Sequence, residues 1–316
     1  MIAVIVLAIV AGATVVSASL DPTENKLRQR AGLFGKSELR IGVGFDRPGL
    51  GYLNPNGKYR GFEIEIAYLI AEDLGFQRKQ VKFLTVVTEN RRRMRGGDGI
   101  PVDLVVASYS ITPERERLPE VMFSVPYLST ELAVVTREHH PQVDSLGQLK
   151  GKRVCTLESG TAVGWAEKSG LIDNLTKRGI ITSCIEDLRS GRYDAVVSDA
   201  TILAGWVARY DDELRHHDIA TDEEQNYGVN VGNNESLREL VNLALYCSFH
   251  DPGDGRWEDA YRRHLEPLQA ANDDQLVAET DQPNIPPEQE PRVRRLPWEY
   301  WVPESWPYGG RPARCH

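Results

Sequence analysis

The chain has few of the residues that bind transition metals. Its 316 residues include four cysteines and seven histidines, and no CxxC motif or Cys/His pair has the spacing of a zinc site. The sequence therefore predicts neither a metal site nor a cofactor. Hydrophobic residues make up 41% of the chain. A chain of this length and composition is sufficient for two moderate lobes with packed cores.

Basic residues are also scarce. The chain has 37 Lys and Arg against 46 Asp and Glu, which gives a formal net charge of −9. A general nucleic-acid-binding protein needs a basic face to neutralise phosphates, so nucleic acid is not an expected partner. The negative balance does not exclude a small anionic ligand, because arginines can gather in one local pocket of an acidic protein.

Charged residues are absent from residues 1–20. A helix of about twenty apolar residues can span a bilayer, so this segment is a candidate membrane anchor. It is equally a candidate signal peptide, with small residues at 16–18 for cleavage. Both interpretations place the rest of the chain outside the cytoplasm, either free or anchored to the membrane by residues 2–20. A buried core helix is the remaining alternative.

Outside the cytoplasm, a pair of cysteines is expected to form a disulfide. Cys155 and Cys184 both lie in the middle segment, and we predict that they pair. Cys247 lies in an apolar helical pattern and is predicted to be a buried thiol. Cys315 lies in the terminal tail and carries no prediction.

Strand-like and helix-like segments alternate along most of the chain. Strand patterns at 39–44, 81–87 and 102–107 flank a predicted helix that runs to Leu74 and is stopped by Gly75. A second series of the same kind begins near residue 132. Such alternation indicates α/β architecture with mostly parallel sheets. Two series in succession predict two lobes, and a cleft between lobes is a preferred ligand site.

The same pattern predicts the domain boundaries. Residues 21–38 are polar and predicted to be a linker. Lobe 1 is expected to combine residues 39–130 and 226–268, and lobe 2 to comprise residues 131–225. The hinge strands are predicted near 128–134 and 224–229. Residues 269–316 are rich in Pro, acidic and aromatic residues and are predicted to be a disordered tail, although docking of its aromatic residues remains an alternative.

The most informative motif follows the strand at 102–107. Ser108 and Ser110 come next, and Thr112 can cap a helical turn that has Pro113 at its first position. Arg115 lies in that turn. Hydroxyls, free backbone N–H groups and a guanidinium at one strand end suit a carboxylate ligand. The alternative is an ordinary strand-to-helix turn with a solvated arginine.

Two further segments carry candidate binding groups. Asp199 follows the apolar strand at 195–198, where its carboxylate suits an ammonium group. The alternative role for Asp199 is to cap the helix that follows. Residues 158–162 form a turn of small residues before a helix, and the N–H groups of that turn suit an anion.

Five motifs, in this order, resemble those of one family, the extracytoplasmic solute-binding proteins of polar amino acid ABC importers (family 3). The resemblance covers residues 39–268. It implies a periplasmic-binding-protein-like type II fold, in which hinge strands join two α/β lobes around a ligand cleft. The motifs are residues 61–67 (GFEIEIA), 111–115 (ITPER), 123–127 (FSVPY), 149–154 (LKGKRV) and 191–196 (GRYDAV).

Three stretches are most similar to the glutamate/aspartate-binding branch of that family. They are residues 45–51 (FDRPGLG), residues 90–91 (NR) and residues 199–205 (DATILAG). Members of the branch often carry cysteines at the positions of Cys155 and Cys184. Gly44 departs from the branch, which commonly has a basic residue there, and Arg47 is a candidate replacement.

The resemblance also implies a role for each candidate binding residue. From lobe 1, the ligand's α-carboxylate is held by Arg115, Ser108 and Ser110. Lobe 2 contributes Thr161 and the backbone of Ala162 to the α-carboxylate, and Asp199 to the α-ammonium. Arg91 binds the carboxylate of the ligand's side chain. Phe45 packs on the aliphatic part of the ligand or, alternatively, is a core aromatic.

The function implied is capture of an amino acid, most closely glutamate or aspartate, for delivery to an ABC importer permease, without enzymatic activity. One alternative is a membrane-anchored sensor that signals to another membrane protein. A second alternative is a dehydratase on the same fold. That reaction needs a general acid or base in the cleft, for which Glu158, His139 and His140 are the candidates.

Overall fold

The structure is a computed structural model that describes residues 21–219, 224–272, 275–286 and 289–294. The expectations for residues 1–20 and for the aromatic end of the tail lie outside these residues. Within the described part, no helix combines the length and the apolar character that crossing a membrane requires.

The strands are short, and most of them are buried. In chain order they are β1 (Leu39–Val43), β2 (Asp46–Arg47), β3 (Gly51–Leu53), β4 (Tyr59–Arg60), β5 (Val81–Thr85), β6 (Leu104–Val106), β7 (Phe123–Thr130), β8 (Leu132–Arg137), β9 (Val154–Leu157), β10 (Leu175–Arg178), β11 (Ala195–Asp199), β12 (Leu214–Asp218) and β13 (Gln225–Asn230).

The α-helices follow the strands in alternation, as the sequence predicts. Those of the described residues are α1 (Glu24–Arg30), α2 (Phe62–Asp73), α3 (Pro113–Glu116), α4 (Ala162–Lys168), α5 (Ile181–Arg189), α6 (Ala200–Val207), α7 (Glu235–His250), α8 (Arg256–His264) and α9 (Glu266–Ala270). Short 3-10 helices cover Arg78–Gln80, Thr88–Arg91, Leu146–Leu149 and Ile172–Asn174.

Two five-stranded mixed sheets form the centres of the two lobes. Lobe 1 contains the sheet β5-β1-β6-β13-β7, and lobe 2 contains β10-β9-β11-β8-β12. The central strands pair in parallel: β1 with β5 and β6, and β9 with β10 and β11. A small antiparallel sheet, β2-β3-β4, extends from lobe 1. The predicted α/β fold with two lobes of type II is therefore confirmed.

The chain passes between the lobes at two places. Glu131 separates β7 of lobe 1 from β8 of lobe 2. The chain returns between Asp218, which ends β12, and Gln225, which begins β13. The predicted hinge stretches at 128–134 and 224–229 adjoin these places. Their action as hinges remains a proposal.

Two segments outside the lobes differ from their predictions. Residues 21–38 are not a plain linker, because they contain α1, which packs on α7 through the buried Leu27. The described part of the tail lies on the body of the protein, with Val277, Ala278 and Ile285 at most 1% exposed. A few apolar residues spaced among polar ones anchor each segment, and composition averaged over a window does not reveal such anchors.

The cysteine predictions have different outcomes. The predicted disulfide between Cys155 and Cys184 is present and joins β9 to α5. The prediction of a free thiol at Cys247 is wrong, because this buried cysteine is disulfide-bonded. The apolar pattern of α7 correctly indicates that Cys247 is buried, but burial does not distinguish a thiol from a disulfide.

Two adjacent histidines of β12 make lobe 2 sensitive to acid. His216 and His217 are 5% and 0% exposed, and burial lowers the pKa of each to about 4. An unfolded histidine has a pKa of about 6.5, so between pH 6.5 and 4 the unfolded chain binds more protons than the folded chain. The free energy of unfolding therefore falls as the pH drops through this window.

The variant His216→Phe is expected to lose less stability than the wild type on acidification. The difference should be about 2 kcal/mol at pH 5, since the variant has one buried histidine fewer to charge on unfolding. Urea unfolding at pH 7 and pH 5 measures it, and His139→Phe, which replaces an exposed histidine, is the control. The same pH dependence in wild type and His216→Phe would exclude this cause.

Candidate functional site

A cavity lies between the two lobes, at the carboxyl ends of β6, β9 and β11. Its volume is about 10 Å³ in this arrangement of the lobes, so a ligand the size of an amino acid enters only when the lobes move apart. Phe45 is half-buried and is not among the lining residues. The other seven predicted binding residues all line the cavity: Arg91, Ser108, Ser110, Arg115, Thr161, Ala162 and Asp199.

Arg115 enters the cavity from the turn that the sequence identifies. Thr112 caps α3 by accepting a hydrogen bond from the Arg115 N–H. This bond fixes the position of the Arg115 backbone, from which the side chain extends. The guanidinium donates from Nη1 to the Ser110 carbonyl at 2.6 Å and from Nη2 to the Ser159 carbonyl of lobe 2 at 3.0 Å. Burial lowers the pKa of Arg115. Its charge is thus held at the point where the lobes meet.

Arg91 is more deeply buried, with 3% of its surface exposed. It donates from Nε to the Thr88 carbonyl at 3.0 Å, and from Nη1 to the carbonyls of Ala107 and Ser108. Its Nη2 has no hydrogen-bond acceptor among the described residues. Burial lowers the pKa of Arg91 to about 9, and the neighbouring positive charges add to the effect. A buried cation of this kind favours an anionic partner.

Tyr109 is a site residue that the sequence analysis did not identify. The guanidinium carbons of Arg91 and Arg115 lie 4.6 and 4.8 Å from the centre of its ring. Aromatic faces attract cations, so the ring holds the two like charges beside each other. The signal in the sequence is its position, since an aromatic residue lies between two serines of a predicted site.

Arg47 adds a third guanidinium next to these two. It is 2% exposed, and its Nη1 donates to the Ala107 carbonyl at 2.8 Å, the same carbonyl that accepts from Arg91. A side chain on Gly44 would begin 3.3 Å from the Nη1 of Arg47. Gly44 has no side chain, and Arg47 therefore occupies the space beside it.

Ser108 lines the cavity and also belongs to a hydrogen-bond network that the sequence analysis does not predict. Its N–H and its hydroxyl both donate to Oε1 of Glu63, the hydroxyl at 2.8 Å, and the hydroxyl of Tyr127 donates to the same oxygen at 2.8 Å. Ser108 has a φ of 46°, in the left-handed region that a non-glycine residue rarely adopts. Glu63 stabilises this conformation, which turns the Ser108 carbonyl to Arg91.

Glu63 is a second site residue for which the sequence analysis predicts no role. The structure shows it 0% exposed, with hydrogen-bond partners 45 and 64 residues away in sequence. The signal is the apolar character of its neighbours: Phe62 and Ile64 are also buried. A carboxylate flanked by core residues at a helix start is a candidate for a structural role in a site.

Asp199 ends β11 and precedes α6, but it does not cap that helix with its side chain. Its Oδ2 instead accepts a hydrogen bond from the Tyr227 hydroxyl at 2.5 Å. Burial raises the pKa of Asp199, while the bond from Tyr227 and the arginines oppose the shift. The capping alternative therefore fails, and the carboxylate remains oriented to the cavity that it lines.

Lobe 2 contributes the turn before α4. The hydroxyl of Thr161 is buried and has no hydrogen-bond partner among the described residues. Thr161 and Ala162 begin the helix, and the first N–H groups of a helix have no intrahelical acceptor. A buried donor without a partner is costly, so these groups suit an acceptor brought by a ligand.

The lobes are closed over the cavity by direct contacts. The carboxylate of Asp46, in lobe 1, accepts the N–H of Ile181 at the start of α5 at 2.7 Å. The carbonyl of Asp46 accepts the indole N–H of Trp206 at 3.1 Å. Gly205 of α6 lies so close to lobe 1 that a Cβ there would be 1.9 Å from the Pro48 carbonyl oxygen.

The residues considered for catalysis lie elsewhere. Glu158 is exposed and does not line the cavity. His139 and His140 line a separate groove on lobe 2, together with Arg189 and Glu213. The structure does not bring these three candidates together with the carboxylate-binding groups.

Proteins of known function are similar to this chain in sequence. The glutamate-binding protein GluB of Corynebacterium efficiens is 29% identical over 224 residues, which cover 67% of this chain and 74% of that protein. The glutamine-binding protein GlnH of Bacillus subtilis is 28% identical over 251 residues, which cover 77% of this chain and 86% of that protein.

A solved structure gives the same result. The solute receptor for L-cysteine of Neisseria gonorrhoeae aligns with a TM-score of 0.69 at 30% identity, covering 79% of this chain and 99% of that one. A family model described as "Bacterial extracellular solute-binding proteins, family 3" matches residues 39–246. That match spans more than half of the chain, and this protein therefore belongs to the bacterial extracellular solute-binding proteins of family 3.

Proposed function

We propose that the protein binds an acidic amino acid, glutamate or aspartate, outside the cytoplasm and delivers it to the permease of an ABC importer. Membership of the family and the names of its relatives support amino acid binding. Those relatives bind different amino acids by name, so the choice of an acidic ligand depends on the charges of this site.

One observation carries the proposal: groups of opposite charge face one cavity from the two lobes. Arg115 of lobe 1 is placed to hold the α-carboxylate, with Ser110 beside it. Asp199 of lobe 2 is placed to hold the α-ammonium. The unpartnered hydroxyl of Thr161 and the N–H of Ala162 supply further donors to the carboxylate. A carboxylate and an ammonium at fixed separation define an α-amino acid.

The ligand's side chain is then selected by a second cation. Arg91 uses Nε and Nη1 on backbone carbonyls, which leaves Nη2 for a distal carboxylate. Arg47 lies beside it and raises the local positive charge. Ser108 supports Arg91 through its carbonyl and is not needed as a donor to the ligand. A neutral amide on the ligand would leave this charge without a counter-ion.

Binding rather than catalysis is the activity we propose. The carboxylate of Asp199 is held by Tyr227, and that of Glu63 by Ser108 and Tyr127. A carboxylate held in this way positions neighbouring groups and is poorly suited to exchange protons with a substrate. The positions of Glu158, His139 and His140, away from the cavity, support the same conclusion.

The variant Arg91→Met tests the choice of ligand. It should weaken the binding of glutamate by about tenfold to a hundredfold, the equivalent of one charged hydrogen bond, and change the binding of glutamine much less. Structural damage would weaken the binding of both ligands equally. The ratio of the two dissociation constants therefore reports only the effect of the Arg91 charge on the ligand's side chain. Isothermal titration calorimetry measures both constants.

The matched control is Arg93→Met, which removes the same charge from an exposed arginine paired with Glu89. It should leave both dissociation constants unchanged. If Arg91→Met leaves the ratio of glutamate to glutamine affinity at its wild-type value, Arg91 does not read the ligand's side chain.

A further inference from the structure

A segment after the family-matched region runs alongside both places where the chain changes lobes. We call Asn272 and residues 275–279 the hinge strap. It follows α9 and lies beyond residues 39–246, which the family model matches. The strap joins neither central sheet, yet it bonds to residues just before the crossing at Glu131 and to residues of lobe 2.

The strap is fixed to lobe 1 over most of its length. The Val277 carbonyl accepts the hydroxyl of Thr130 at 2.7 Å, and the Glu279 N–H donates to the Ser129 carbonyl at 3.0 Å. Both partners lie at the end of β7, immediately before the crossing. Val277 and Ala278 are 1% and 0% exposed. The strap therefore moves with lobe 1 when the lobes separate.

The strap also binds lobe 2. The side-chain oxygen of Gln275 accepts the N–H of Asp218, the last residue of β12, at 2.8 Å. The side-chain nitrogen of Asn272 donates to the Ala204 carbonyl of α6 at 3.2 Å. Asn272 is 2% exposed, so its bond to lobe 2 is shielded from water. These two bonds connect the lobes near the chain crossings, in addition to the direct contacts around the cavity.

We propose that the hinge strap biases the protein to the closed state and so raises its affinity for ligand. A rotation of lobe 2 about the crossings displaces Asp218 and Ala204 from a strap that stays on lobe 1. Opening must then break the two bonds, whereas closing restores them. The affinity of a ligand that needs the closed state is reduced by the fraction of open protein, so a connection that favours closure strengthens binding.

The test is the double variant Asn272→Ala/Gln275→Ala in the full chain. It removes both bonds to lobe 2 and retains the bond from the Thr130 hydroxyl to the Val277 carbonyl and the bond from the Glu279 N–H to the Ser129 carbonyl. The control is Gln282→Ala, which alters a buried residue three positions after the strap whose side chain bonds to lobe 1, at Ser248 and Leu245. Small-angle X-ray scattering without ligand reports the opening, and calorimetry with L-glutamate reports the affinity.

We expect the double variant to show a larger radius of gyration without ligand and about a tenfold weaker affinity for glutamate. The control should change neither. The inference is overturned if the double variant scatters like the wild type, or if Gln282→Ala expands the protein as much. Scattering needs no ligand, so a failure of glutamate to bind would contradict the proposed function, and the radius of gyration would still decide whether the strap favours closure.

Discussion

The substitution Gly205→Ala is expected to block closure of the lobes while leaving each lobe folded. A Cβ at this position would lie 1.9 Å from the Pro48 carbonyl oxygen and 2.6 Å from its carbon, which belong to the other lobe. Backbone atoms cannot move aside as a flexible side chain does. Within α6, by contrast, alanine is favoured over glycine by about 1 kcal/mol. The substitution therefore destabilises the closed arrangement of the lobes and does not destabilise the fold of lobe 2.

Overpacking of this kind costs about 1–3 kcal/mol, so the affinity for ligand should fall roughly tenfold to a hundredfold. Calorimetry with glutamate measures the loss, and small-angle scattering shows whether the liganded protein stays open. The control is Gly164→Ala in α4, where an added Cβ would meet nothing within 4 Å. Closed scattering and wild-type affinity in Gly205→Ala would show that the contact with Pro48 is not needed for closure.

The substitution Arg115→Met is expected to have the largest effect on binding. Arg115 is the cation that we assign to the α-carboxylate, which glutamate, aspartate and their amides share. Loss of one partner of a buried charge pair costs about 2–5 kcal/mol, so every amino acid ligand should bind at least about thirtyfold more weakly. The effect thus differs from that of Arg91→Met, which should discriminate between ligands.

The control for this prediction is Arg117→Met, an exposed arginine two residues further along the chain. It removes the same charge and should bind with wild-type affinity. Thermal unfolding of both variants shows whether the fold is intact. If Arg115→Met is folded and binds an amino acid as tightly as the wild type, the α-carboxylate is held elsewhere.

The two-lobed fold could be predicted because its signals are local. The alternation of apolar strands with helices identifies the two sheets, and the polar residues after β6 and β11 mark one strand end in each lobe. Arg115 and Asp199 follow from this, since open α/β sheets bind ligands at the carboxyl ends of their strands, and here both ends face the cleft between the lobes. Two predicted strand ends are enough to place both residues in one cavity.

The details that could not be predicted depend on contacts between distant residues. The hydroxyl of Ser108 donates to Glu63, 45 residues away, and no local sequence pattern predicts that pairing. Asp199 is held by Tyr227, 28 residues away on a strand of the other lobe. The hinge strap lies within the predicted disordered tail. Its few buried residues are surrounded by acidic residues and prolines, so the composition of the segment does not reveal them. Glycine at 205 likewise gives no signal of the close approach of Pro48.

The most direct test of the account is a calorimetric titration of the full chain with L-glutamate and L-glutamine under the same conditions. The two ligands differ only in the distal group, which we assign to Arg91. We predict that glutamate binds at least tenfold more tightly than glutamine. Equal affinities, or tighter binding of glutamine, would contradict the assignment of an acidic amino acid as the ligand.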